Sequence, residues 1–323
     1  MSFNDIKYKI KYKLSGVSDR FSFDEYLRYH MQNMKKKSRD NILSVSELWE
    51  YEKRFNSDDY RDIFNSKRLF HDYFSNFMTR DILFLENATF EEYKIFLDNH
   101  ELLIAKPDNK YAGLGIFIID DMENAPEADG DFDEEGLYTA SFMDRKDAIR
   151  NWDILRQAGY LIEEYLYQHE AYENIHSFSL NTMRITTLVD RDGKPIVIAA
   201  ANQFGSSQSI TDNNDETAIW AGIDLSTGIA SMADIDERTG RVYDRHPDTY
   251  EDIVGFENPG FDEVMELASK LAMVVPKCRL IGWDIARLRN GSLELIEGNV
   301  TPELDLFQVM SGQGFRQVFE NNI

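Results

Sequence analysis

The stretch from Gly282 to Asn299 holds the sharpest chemical pattern in the chain. Asn290-Gly291 is a favoured two-residue hairpin turn, because both positions tolerate the positive φ of a type I′ turn. Asp284 and Glu297 lie equally far from its centre, so such a hairpin sets them directly across the ladder, with Cβ atoms about 5 Å apart. Asn299, two residues beyond Glu297, points to the same face. Like charges so placed are destabilising unless something positive lies between them. Two carboxylates and an amide carbonyl are hard oxygen ligands suited to Mg²⁺, which keeps waters and takes its remaining ligands from phosphates. The plainer alternatives are a solvated hairpin face or one acid held protonated.

Other residues offer chemistry that would complement a phosphate-bound metal. Lys106 ends a buried strand and precedes a loop in which Gly113 and Gly115 let backbone amides approach a ligand closely, a possible phosphate cradle. The Gly-x-Gly spacing by itself is also that of an ordinary turn, and it lacks the third glycine of a dinucleotide fingerprint. Residues Leu161 to Leu166 combine an apolar strand with backbone groups able to pair with an adenine edge, and Glu170 offers acceptors to ribose hydroxyls. An ordinary strand end with exposed acids fits the same residues. Arg184 opens a strand either as a phosphate or carboxylate clamp, for which its fork is suited, or as a structural ion-pair partner. No nucleophile arrangement competes: Gly-x-Ser-x-Gly is missing, and Cys278 has no evident partner histidine. His176 and His246 read as surface or hydrogen-bonded histidines rather than general bases.

These residues need elements to hold them. The first hundred residues read as mainly helical, with capping boxes at Ser44–Glu47 and Thr89–Glu92. Lys7, Lys9, Lys11 and Lys13 alternate with Tyr8, Ile10 and Tyr12, which suggests a strand edge or a solvated arm, with membrane contact as a minor reading. Strands are expected over 102–105, 116–119 and 160–166, with a helix from about Asp144 that stops at Gly159. The nine acids and no base from Asp120 to Glu135 read as a solvated loop. Hairpins follow at Asp192-Gly193, Thr227-Gly228 and Thr239-Gly240, and one helix over about 262–275 is closed by Pro276. This mixture predicts α+β lobes rather than an alternating doubly wound sheet.

Composition bounds the partners. The 323 residues carry 35 Lys+Arg against 58 Asp+Glu, a formal net charge of −23. A field of that sign repels nucleic acid and anionic lipid, so a polyanion binds only where fixed cations or a metal reverse the sign locally. The 42% hydrophobic and 13% aromatic content supplies a core and excludes disorder. A single cysteine excludes an internal disulfide and a multi-thiolate zinc site. The charged start lacks the apolar run of a signal peptide, and no stretch has the ~18 apolar residues of a membrane span. A cytoplasmic protein without a transmembrane segment is expected.

The order strand-Lys106, glycine loop, Glu163-Glu164-Tyr165-Leu166, Glu170, Arg184, Asp284 and Glu297-x-Asn299 resembles the ATP-grasp superfamily. The overall pattern is most similar to its sugar-transfer-associated branch, over roughly residues 60–310. The resemblance implies an ATP-grasp fold with a helical region over 1–80, a lid lobe over 81–166 and a catalytic lobe over 167–323. It implies that Lys106 holds ATP phosphates, that the 111–115 loop closes over them, and that Glu163 to Leu166 form the adenine hinge with Glu170 at the ribose. Arg184 would act on the γ-phosphate or acyl phosphate, and Asp284, Glu297 and Asn299 match the family's Mg²⁺ ligands. Lys67, in a stretch resembling an upstream region of this branch, would be another phosphate contact, and Thr301 to Asp305 with Gln308 would face substrate. The implied activity is an ADP-forming carboxylate–amine ligase in bacterial cell-surface polysaccharide or related biosynthesis, its substrates a small-molecule carboxylate and amine, with sugar-linked compounds among the candidates. Phosphotransfer to a hydroxyl and a non-catalytic nucleotide-binding module are the alternatives.

Overall fold

The computed structural model describes residues 3–110, 113–121, 130–207, 209–212, 218–233, 235–236 and 241–323. Its strands, in chain order, are β1 (Ile82–Phe84), β2 (Leu103–Pro107), β3 (Phe117–Asp120), β4 (Phe142–Asp144), β5 (Tyr160–Glu164), β6 (Thr182–Val189) and β7 (Pro195–Phe204). They continue with β8 (Ile219–Ile223), β9 (Ala230–Ala233), β10 (Ile235–Asp236), β11 (Arg241–Val242), β12 (Leu280–Arg287) and β13 (Leu293–Asn299). Five form one sheet in the order β1-β5-β2-β3-β4, antiparallel except for β3 with β4. Six form an antiparallel sheet in the order β13-β12-β6-β7-β8-β9, and β10 pairs with β11 as a ribbon.

Both faces of the larger sheet are covered, which is why every residue of β6 and of β12 is buried. On one face the helix Phe261–Leu271 turns Phe261, Val264, Ala268 and Leu271 inward at helical spacing. They join a cluster with Phe70, Phe74 and Trp283, and each large side chain so buried contributes roughly 1.5–3 kcal/mol. On the other face Leu304, Phe307 and Phe319 from the C-terminal helices pack with Leu43, Leu48 and Phe55 from the N-terminal ones. The smaller sheet has its own core around Phe117, Tyr160 and Ile162.

Several local expectations meet the chain differently. Residues Phe3–Leu14, with their alternating lysines, form a helix and not a strand. The helix expected from Asp144 is two short ones, Arg145–Arg150 and Trp152–Gln157, parted at Asn151. Phe261–Leu271 ends before Pro276 is reached. Thr239-Gly240 and residues 122–129 of the acidic 120–135 stretch fall outside the described residues. Among the described residues no helix is long and apolar enough to cross a membrane.

Candidate active site

A cavity of about 420 Å³ opens between the two sheets, in the size class of small-molecule sites. Ile104 and Leu161 from the smaller sheet and Ile296 from the larger one give it apolar walls, while charged side chains enter from both sides.

On the smaller sheet, Lys106 Nζ lies 2.6 Å from Glu163 Oε2. The other Glu163 oxygen accepts from Arg80 Nη2 at 3.2 Å. Arg80 reaches on across the cavity floor, donating from Nη1 to Glu294 Oε1 at 2.6 Å and to the Leu295 carbonyl at 2.7 Å. Glu294 is also held by the Thr79 N–H and hydroxyl. Burial alone would raise the Glu163 carboxyl, but the Arg80 and Lys106 charges outweigh it and hold the group down at about 2. A buried chain of alternating charge thus joins the two sheets beneath Lys106.

On the larger sheet, β12 pairs with β13 so that Asp284 stands opposite Glu297 and Gly282 opposite Asn299. The turn is not a two-residue type I′. Leu288 and Ser292 close a three-residue loop through the Leu288 N–H and the Ser292 carbonyl, and only Gly291 there has positive φ, at 84°. That loop would put Asp284 opposite Ile296, but the register shifts between Asp284 and Ile285, and the bulge restores the pairing with Glu297.

Asp284 also pairs in register with Arg184 on β6. The guanidinium grips both oxygens, Nε to Oδ1 and Nη2 to Oδ2, each at 2.7 Å. Gln203 adds a donor to Oδ1 at 2.9 Å, and Arg184 Nη1 pairs with Glu303. The Asn299 amide nitrogen bridges Asp284 Oδ2 at 3.3 Å and Glu297 Oε1 at 3.2 Å. The positive charge that the carboxylate pair demands is therefore Arg184, whose guanidinium burial would weaken and Asp284 strengthens. Burial pushes Asp284 upward and the Arg184 fork opposes it, with neighbouring Glu297 adding to the rise.

With this geometry in view, a profile of the sugar-transfer associated ATP-grasp family matches residues 48–322. The chain belongs to that family. No curated protein matches it. The ATP-grasp ligase PsnB complexed with minimal precursor is a structural neighbour at 12% identity and TM-score 0.44, covering 82% of this chain and 62% of that one. D-alanyl-alanine synthetase A from Vibrio cholerae O1 biovar eltor is another at 12% identity and TM-score 0.43, covering 80% and 63%. N5-carboxyaminoimidazole synthase from Aspergillus clavatus follows at 9% and 0.42, covering 80% and 51%. The chain thus spans less than two thirds of the length of each.

In this ATP-grasp chain, Lys106, Gly113, Glu163, Glu164, Tyr165, Leu166, Arg184, Asp284, Glu297 and Asn299 all line the cavity. Lys67 lines it too, but its ammonium is clasped by the carbonyls of Pro107, Asp108 and Lys110 at 3.0, 3.2 and 2.9 Å. It pins the end of β2 and the segment that follows, and burial, with Lys106 nearby, lowers its pKa despite the pull of Glu297. Gly115 turns away: its carbonyl accepts from the Tyr160 hydroxyl at 2.9 Å, and a Cβ there would meet that hydroxyl at the same distance. Glu170 is exposed in the first turn of the helix Glu170–Ile175 and does not line the cavity. His176 and His246 are buried and hydrogen-bonded, to Ser179 and Ser207 and to the Gly205 carbonyl respectively.

Three contributors went unread in the sequence. Asp212 lines the cavity, takes a 2.6 Å bond from the Thr182 hydroxyl and is pushed by burial up to about 7. Gln203 and Glu294, which holds Arg80, are the others. None has a local signal, because each partner lies far off along the chain.

The donor set at Asp284, Glu297 and Asn299 fits Mg²⁺: two carboxylates and an amide converge within hydrogen-bond distance. Turning the Asn299 amide over presents its oxygen in place of its nitrogen.

Proposed function

We propose that this chain is an ATP-dependent carboxylate–amine ligase that forms an amide-type bond through an acyl phosphate, releasing ADP and phosphate. The observation that carries the reading is the opposition, across one cavity, of Lys106 held by Glu163 and of Arg184 held beside the Asp284–Glu297–Asn299 oxygens. Mg²⁺ would be held by those three side chains and, when bound, would neutralise phosphate oxygens and polarise the transferred phosphoryl group.

The chain's own residues supply the rest. Lys106, fixed by its ion pair, presents an ammonium to the nucleotide's phosphates, and Arg184 stabilises charge that develops as the γ-phosphoryl group passes to a carboxylate. Both cations are positioned before the reaction, so little reorganisation is needed. The Leu166 N–H has no hydrogen-bond partner among the described residues, which leaves it open to an adenine edge beside the apolar Ile104 and Leu161. Exclusion of water by the surrounding walls protects the acyl phosphate until an amine displaces phosphate. The sugar-transfer association of the family points to a sugar-linked acceptor from cell-surface polysaccharide assembly.

The reading predicts ADP release that requires both a carboxylate and an amine, and that is lost in Glu297→Gln. With hydroxylamine in place of the amine, a hydroxamate accumulates. ADP formation with a hydroxyl acceptor and no hydroxamate would replace the reading with direct phosphotransfer.

A further inference from the structure

Asp81, His100 and Glu164 each bring a ligand atom to one place, all within 4.8 Å of one another. They come from three parts of the chain: the residue before β1, the residue closing the helix Phe90–Asn99, and the last residue of β5. The imidazole is oriented from outside the cluster. Its Nδ1 lies 2.9 Å from the Phe96 carbonyl oxygen, which can only accept, so Nδ1 carries the proton. Its Nε2 faces Asp81 Oδ2 at 3.2 Å. A neutral ring held this way sets a lone pair against a carboxylate oxygen, and the contact becomes attractive only with a second proton or a cation between them. Glu164 is tied to the same spot, because its Oε2 accepts from the Asp81 N–H at 3.3 Å. An imidazole that donates Nδ1–H to a carbonyl and offers Nε2 has the orientation of a metal-bound histidine.

We propose that Asp81, His100 and Glu164 form a second divalent-cation site, distinct from Asp284, Glu297 and Asn299, for a first-row transition ion of the Zn²⁺ type. A nitrogen ligand with two carboxylates suits Zn²⁺, whereas Mg²⁺ keeps to oxygen. The His100 side chain is 13% exposed and that of Asp81 71%, so the ion enters from solvent on the Asp81 side and retains water in its open positions. Glu164 also lines the large cavity. An ion bound here ties the segment entering β1 to the end of β5 and stiffens the cavity's outer wall. The proposal rests on these three residues and not on the ligase reading, although Glu164 is shared with the cavity.

Co²⁺ serves as the probe, titrated into the full chain while its visible absorption and heat of binding are followed, with Zn²⁺ as competitor. The Glu297→Gln chain is expected to retain one tight equivalent that Zn²⁺ displaces and Mg²⁺ does not. His100→Ala and Asp81→Asn should each weaken that equivalent at least ~10-fold; Asp81 is exposed, so its variant keeps the fold, checked by circular dichroism. Loss of all Co²⁺ uptake in Glu297→Gln, or unchanged binding in folded His100→Ala and Asp81→Asn, would overturn the proposal.

Discussion

Asp284 and Glu297 face each other across one rung of an antiparallel ladder, where two ionised carboxylates repel. Arg184 resolves the repulsion by gripping Asp284 with two parallel hydrogen bonds, the strongest geometry available to that pair. One guanidinium faces three carboxylates, Asp284, Glu297 and Glu303, so the site is only partly charge-compensated before any nucleotide arrives. Arg184→Met leaves Asp284 buried and unpaired, and should lower unfolding free energy by about 3–5 kcal/mol in urea titrations, with Mg²⁺ restoring part of it. Glu163 gives a pH prediction with a definite sign. Its folded pKa of about 2 lies below the ordinary value of about 4.3. The stability it contributes is complete above the ordinary value and is lost as pH falls toward 2. The stability gap between the wild type and Glu163→Gln should be widest above pH 5 and narrow toward pH 3; a constant gap would contradict the ion-pair account.

At the scale of elements, what the sequence discloses follows the range of the interaction. Capping boxes are local, and both Ser44–Glu47 and Thr89–Glu92 form as read; Thr89→Ala should cost about 1 kcal/mol in thermal unfolding. The β12–β13 pairing of Asp284 with Glu297 was legible, yet by a different route. A three-residue loop and a compensating bulge produce it, and nothing in the alternation of side chains announces a bulge. Gly291 carries the loop's positive φ with open space around its Cα, so Gly291→Ala should cost about 1 kcal/mol from backbone strain alone. The lysine alternation at the start misled because period two on so short a polar segment is compatible with a helix. Arg184 with Asp284, Lys67 with the carbonyls at and after the end of β2, and Arg80 with Glu294 join residues far apart in sequence, and no spacing rule reaches that far.

For the whole molecule, the N-terminal helices are part of the larger sheet's core and not an appendage. Asn56 donates to the Leu280 and Val300 carbonyls at 2.8 and 3.0 Å, and Gln308 caps the backbone of Leu43. A chain lacking residues 1–60 loses Leu43, Leu48 and Phe55 from the cluster with Leu280 and Phe319, and should be insoluble or lack a cooperative thermal transition. The net charge of −23 sets a long-range field against ATP, so binding must rest on the cations and metal ligands gathered in the cavity. Isothermal titration of ATP with and without Mg²⁺, on the wild type and on Glu297→Gln, tests this directly. The account predicts uptake by the wild type that Mg²⁺ strengthens at least ~10-fold, with that gain lost in the variant. Equal affinity with and without Mg²⁺, or a gain that survives in Glu297→Gln, would contradict it.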